Sequence, residues 1–156
     1  MAKTILVPID FSIESLNTLR LALEGHTTDK LNIILLYAEH LTDSITELLF
    51  YSPQKIIQSL TKPDFQEAIA ILKNRHETAI DSIEIELIHS YNRKVFEAFL
   101  EKRKVDEIYV PITYKLKPRR NGFDPIPLLK RSSVPVHGIE WELDGGGSDQ
   151  LKSLFK

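Results

Sequence analysis

Residues 4–12 read TILVPIDFS. The first six, Thr4 to Ile9, are short, rich in β-branched side chains and apolar without alternation. A strand with one solvated face would alternate, so this run predicts a strand buried on both faces, as in a parallel sheet. Asp10-Phe11-Ser12 then changes the chemistry abruptly. Asp10 or Ser12 can cap a helix starting near residue 13, where Leu16, Leu19, Ala22 and Leu23 form an apolar stripe and Gly25 supplies a stop. Strand followed at once by helix is the opening of an α/β unit.

The pattern repeats along the chain. Residues 32–38 (NIILLYA), 83–89 (IEIELIH), 106–112 (DEIYVPI) and 134–139 (VPVHGI) predict four more strands. In the third, Ile83, Ile85 and Leu87 alternate with Glu84 and Glu86, which suits a place near a sheet edge. Helical spacing fills the intervals. Phe65, Ala68, Ile69, Leu72, Ala79 and Ile80 form one set, behind Pro63; Val95, Phe96, Phe99 and Leu100 form the next. Asp124-Pro125 opens a third before Ile126, Leu128 and Leu129. Strands alternating with helices at this spacing imply parallel strands joined by right-handed crossovers. The expectation is an α/β fold: an open five-stranded parallel sheet, order 3-2-1-4-5, with helices on both faces.

Two strands close on the same tripeptide, Val7-Pro8-Ile9 and Val110-Pro111-Ile112. Proline cannot donate to a ladder, but at the carboxyl ends of strands that splay apart the loss is harmless. In the order 3-2-1-4-5, strands one and four flank the switch point where ligands bind. The prolines either mark that crevice or simply end two strands. Pro135 assigns the fifth strand to an edge, free to pair with a second copy of the chain.

Length and composition fit this scheme and exclude others. The chain has 156 residues, with 20 Lys and Arg against 22 Asp and Glu, a formal net charge of −2. Nothing in that balance draws the protein toward nucleic acid or anionic membrane. No cysteine is present, which excludes disulfides, thiolate metal sites and cysteine nucleophiles. No apolar run nears the ~20 residues that cross a bilayer, and a cytoplasmic protein is expected. One domain is expected over residues 1–140, with residues 39–62 as an insertion, either a flap or an extra packing element. Residues 141–156, with Gly145-Gly146-Gly147-Ser148, are expected to be a flexible tail ending in LKSLFK, which either docks or frays.

With these elements placed, ILVPIDFS, IILLYAEH and KRSSVPVHGI resemble, in order and spacing, the universal stress protein family, over roughly residues 3–140. The resemblance implies a Rossmann-like fold of the adenine nucleotide alpha hydrolase type. It also implies a cytoplasmic homodimer joined through the last strand, here Val134, Pro135, Val136, His137 and Ile139. One branch of the family binds ATP through a glycine-rich loop after strand four, of the form G-x2-G-x9-G-[S/T]. Here the segment reads PITYKLKPRRNGFDPIPLLKRS. Gly122 matches the last glycine, but Phe123 stands where the hydroxyl belongs and the first two glycines are missing. Glycines let backbone amides approach phosphate; Thr113, Tyr114 and Pro118 obstruct or remove those donors. Asp10 matches the family's Asp after strand one, and Ala38 the residue whose backbone meets adenine. Asp10 also reads as a helix cap.

The loop carries charge in place of glycine: Lys115, Lys117, Arg119 and Arg120. These cations, with Asp10, Ala38 and Gly122, are the candidate ligand set for a phospho-ligand held by side chains; the plainer alternative is a solvated basic loop. Lys102-Arg103-Lys104 reads as a helix C-terminus complementing the dipole. Glu39, His40 and Asp43 offer metal donors at the end of strand two, where a solvated loop start is the simpler account. No Walker loop, G-x-G-x-x-G, H-E-x-x-H or G-x-S-x-G occurs. The expectation is a homodimeric stress-response or regulatory protein that binds protein partners, with neither a cofactor nor a catalytic constellation. A nucleotide or phospho-ligand sensor is the alternative.

Overall fold

The computed structural model describes residues 2–25, 30–41, 45–119 and 121–141. Five parallel strands form one sheet in the order β3-β2-β1-β4-β5. They are β1 (Lys3–Pro8), β2 (Leu31–Ala38), β3 (Ile80–Ile88), β4 (Glu107–Pro111) and β5 (Val136–Ile139). The unbroken apolar runs occupy the centre: Ile5, Leu6, Val7 and Leu31 to Ala38 are buried apart from half-buried Asn32. β3, the strand with polar alternation, and β5, which Pro135 precedes, lie at the two edges.

Each face carries its own core. On one side, α1 (Asn17–Glu24), α3 (Pro53–Leu60) and α4 (Pro63–Arg75) bring Leu19, Leu23, Leu60, Phe65 and Leu72 onto Ile5, Val7, Ile33 and Leu35. On the other, α5 (Arg93–Lys102) and α6 (Ile126–Lys130) bring Phe96, Leu100, Leu128 and Leu129 onto Leu6, Ile34, Leu36 and Ile108. Within 39–62, α2 (Ile45–Leu49) leaves Ile45 and Leu49 exposed, whereas α3 packs Ile56, Ile57 and Leu60 on the first core.

Four expectations change. Ala79 and Ile80 do not extend α4: the helix stops at Arg75 and Ile80 begins β3. Short apolar runs are ambiguous between the two periods, and here the pairing of Ile80 with Leu31 decides. Pro135 precedes β5; its carbonyl accepts from Ile108 N–H at 2.9 Å. Arg103 is not a helix-end cation alone, since its guanidinium pairs with both Glu84 and Glu86. Trp141, placed in the tail by the sequence, is buried and stacks on Tyr114. The remaining tail residues, 142–156, lie outside the described residues, as does Asp43. Among the described residues, no helix is long and apolar enough to cross a membrane, and no cluster of three metal-ligating side chains occurs.

Candidate functional site

The sheet opens where the prolines stand. β1 and β4 pair only at Ile5 with Glu107 and Leu6 with Ile108, so Val7-Pro8 and Tyr109 to Pro111 diverge. Both prolines end their strands there, with no ladder partner denied an N–H. In a sheet of this order the gap lies at the switch point, above the carboxyl ends of the strands.

Asp10 forms its floor. The chain leaves β1 through a sharp turn in which Phe11 adopts φ 63°, a left-handed conformation rare for an aromatic residue. That turn aims the Asp10 side chain back into the protein, 1% exposed. Its Oδ1 accepts from the Ser12 amide at 3.0 Å and from the Ser12 hydroxyl. Ser12 Oγ in turn accepts from the Ser15 amide at 3.1 Å, so Ser12, rather than Asp10, ties down the start of the short 3-10 turn Glu14–Leu16 that leads into α1; the N-cap position itself is Ile13. Asp10 Oδ2 accepts from the Tyr114 hydroxyl and the Lys117 amide, each at 2.8 Å.

Those last two donors belong to the segment between β4 and α6, the loop that carries Lys115, Lys117 and Arg119. It lies in the crevice and is fastened across three strands. At the β4 end, the Trp141 amide donates to Thr113 Oγ1 at 3.2 Å, and the Thr113 hydroxyl donates to the Trp141 carbonyl. Tyr114 stacks on Trp141 with centroids 4.5 Å apart, and Trp141 Nε1 donates to Thr18 Oγ1 on α1 at 2.8 Å. Over β1 the Tyr114 and Lys117 bonds hold Asp10. Over β2, Tyr37 Oη accepts from the Arg119 amide at 2.8 Å and donates to the Arg119 carbonyl at 2.6 Å. Beyond β2, Gly122 bridges antiparallel to Glu39, the His40 amide donates to Asn121 O, and the Phe123 amide donates to Ala38 O at 3.0 Å. Gly122 is required sterically: a Cβ there would sit 2.5 Å from Tyr37 Oη and 2.9 Å from Arg119 O.

The electrostatics follow from this packing. Burial pushes the Tyr114 phenol well above its ordinary range; the Ser12 hydrogen bond works against it, and the Asp10 charge adds to it. Tyr114 therefore keeps its proton at neutral pH and can donate it to Asp10. Tyr37 is raised too, chiefly by burial and against the pull of its Arg119 backbone bond.

Among the described residues, the expected phospho-ligand set is not brought together around one opening. Asp10 and Ala38 are buried, and the loop's own backbone occupies Asp10 Oδ2 and the Ala38 carbonyl. Lys115 and Lys117 point their side chains to solvent, and it is the amide of Lys117, not its ammonium, that reaches Asp10. Arg119 contributes main-chain groups to Tyr37, and Arg120 lies outside the described residues. Gly122 serves close packing. Tyr37, Thr18 and Trp141 join the site without being part of the candidate ligand set. For Trp141, a lone Trp beside a glycine run was the available signal in the sequence.

No protein-family model matches the sequence, and no curated protein sequence matches it. Solved structures do. The chain superposes on hypothetical protein MJ0577 with a TM-score of 0.55 at 19% identity, covering 91% of this chain and 98% of that one. A universal stress protein family member from Burkholderia pseudomallei gives 0.52 at 15% identity, over 88% and 95% of the two chains. The fold is that of the universal stress proteins. A universal stress protein family protein from Arabidopsis thaliana, solved with AMP bound, shares this fold at a TM-score of 0.52 and 16% identity, over 94% and 97%.

Proposed function

We propose that this chain is a universal stress protein that has replaced a nucleotide with its own polypeptide, and that it acts as a cytoplasmic regulatory protein by binding other proteins. One observation carries the reading: Asp10 Oδ2 and the Ala38 carbonyl are both satisfied by backbone amides of the β4–α6 segment. A nucleotide entering this crevice must expel Tyr114 from between Asp10 and Trp141 and break the bonds at Asp10, Tyr37 and Ala38. Each such hydrogen bond is worth ~0.5–1.5 kcal/mol, more at a carboxylate. Lys115 and Lys117, two of the cations that could repay that loss, are exposed to solvent. The same scaffold is proposed to form a homodimer through β5, whose edge, including exposed His137 and half-buried Val136 and Ile139, is uncovered among the described residues.

Isothermal titration with Mg·ATP and with AMP is the deciding experiment. No heat of binding is expected at concentrations up to a millimolar. Micromolar affinity for either would overturn the reading and favour the alternative, a nucleotide sensor whose loop swings out. The AMP-bound Arabidopsis structure of the same fold is what keeps that alternative in the experiment.

A further inference from the structure

The sheet has a second edge that differs from β5. β3 runs nine residues, Ile80–Ile88, against the four of β5. Its register with β2 slips once, beside Leu31 and Asn32, and then holds unbroken from Ser82 to Ile88. The Glu39 amide donates to Ile88 O at 2.9 Å, so by the two-residue alternation of a strand Ser82, Glu84, Glu86 and Ile88 turn their main chain toward β2. Ile83, Ile85 and Leu87 therefore turn their N–H and C=O groups outward. Among the described residues those groups meet no hydrogen-bond partner.

Edges of this kind are commonly blunted by proline, lysine or a covering element. β3 has neither proline nor lysine between residues 80 and 88. Beside it lies a groove of about 740 Å³ that takes in both faces of the strand. On the α3–α4 side its wall is mainly apolar, with Ile57, Ile69, Ile83, Ile85 and Leu87 beside Gln54. On the α5 side it presents Glu84 and Glu86 with one compensating cation, Arg103; the Glu84 side chain is 54% exposed. Counting these three groups, the charged wall is net negative by one.

The geometry points to this edge as a strand-addition site for an extended peptide that alternates apolar and basic residues. The peptide's main chain would pair with Ile83, Ile85 and Leu87. Its apolar side chains would enter the wall of Ile57 and Ile69, and its lysines or arginines would meet Glu84 and Glu86. Backbone pairing supplies affinity in such sites and alternate side chains supply selectivity. A second copy of β3 fits less well. Antiparallel self-pairing about Ile85 would set Glu84 against the other copy's Glu86, carboxylate facing carboxylate.

The test uses the full chain and a fluorescein-labelled heptapeptide of alternating valine and lysine, followed by anisotropy. Saturable binding is expected, with at least ~10-fold weaker binding of the valine–glutamate peptide, a difference of ~1.4 kcal/mol. Two N-methylated versions, each blocking one edge of the peptide, separate pairing from charge attraction without altering the protein. One must bind like the parent and the other must lose at least tenfold. Equal behaviour of both, or no binding of the parent at millimolar concentration, overturns the proposal. A Glu84→Lys/Glu86→Lys variant should reverse the preference between lysine and glutamate peptides. A fall in the chain's mass by light scattering on that double substitution would show that a second copy holds the edge, and would also overturn it.

Discussion

Asp10→Asn is the most informative single substitution, because it changes one atom type at the centre of the crevice. With the observed bonds kept in place, the asparagine holds an oxygen toward the Ser12 amide and hydroxyl and puts an NH₂ where Oδ2 was. Two donors now meet a donor. The Tyr114 hydroxyl can rotate to accept, exchanging a charge-assisted bond for a neutral one; the Lys117 amide, 2.8 Å away, cannot. Losing one hydrogen bond to a carboxylate costs ~1.5–3 kcal/mol, and weakening the other adds ~0.5–1, so the expected loss is ~2–4 kcal/mol. In a domain of this size that lowers the thermal midpoint by ~4–16 °C. The protein has one tryptophan, and it stacks on Tyr114, so its fluorescence reports the seal directly. Urea unfolding should be followed by Trp141 fluorescence and by far-ultraviolet circular dichroism together. The fluorescence transition is expected to move to lower urea at least as far as the dichroism. Tyr114→Phe removes the same Oδ2 bond, so the double variant should lose less than the sum of the two. A shift under ~0.5 kcal/mol, the range of ordinary surface substitutions, would refute the idea that Asp10 anchors the loop.

Three further outcomes are expected. Gly122→Ala drives a Cβ against Tyr37 Oη and the Arg119 carbonyl and should cost ~1–3 kcal/mol; thermal denaturation should also show partial recovery when Tyr37→Phe is added, and no recovery would place the strain elsewhere. Burial would raise the Glu107 carboxyl, but its bonds to Lys3 and Tyr109, with the Lys3 and His137 charges, more than offset this and hold it below the usual carboxylate range. A depressed folded value means its contribution is full above the unfolded value of ~4.3 and is lost as pH falls through the folded one. The stability gap between the parent and Glu107→Gln should accordingly be wide at neutral pH and close in acid; a gap that does not change with pH would contradict this. For the proposed dimer, light scattering should return twice the 17.9 kDa chain mass, and Val136→Pro, which removes an amide turned away from β4, should return it to one.

The strand order was legible because it rests on local pattern. Unbroken runs such as Leu31–Ala38 require cover on both faces, and the alternation in Ile83–Leu87 requires an edge. The content of the crevice was not legible, because it rests on contacts far apart in sequence. Nothing around Tyr114 announces that its hydroxyl will meet Asp10, or that Tyr37, an aromatic in an apolar strand, will hold both main-chain groups of Arg119. The basic residues mark the segment, but its amides and one phenol do the fastening, while Lys115 and Lys117 remain in solvent. Trp141 was hidden by the glycines that follow it, which make the whole C-terminal stretch read as tail.

Phe11 leaves a lasting constraint on how this protein can vary. Its left-handed backbone would be more comfortable as glycine, by ~1–2 kcal/mol. Yet its ring is buried against Tyr37 and Phe65, with centroids 4.9 and 5.5 Å away, and deleting a core phenylalanine costs ~3–5 kcal/mol. The trade runs against relaxation. Drift at position 11 is thus confined to residues large enough to hold the aromatic triad together, and the bend that turns Asp10 inward is inherited as a by-product of keeping that triad.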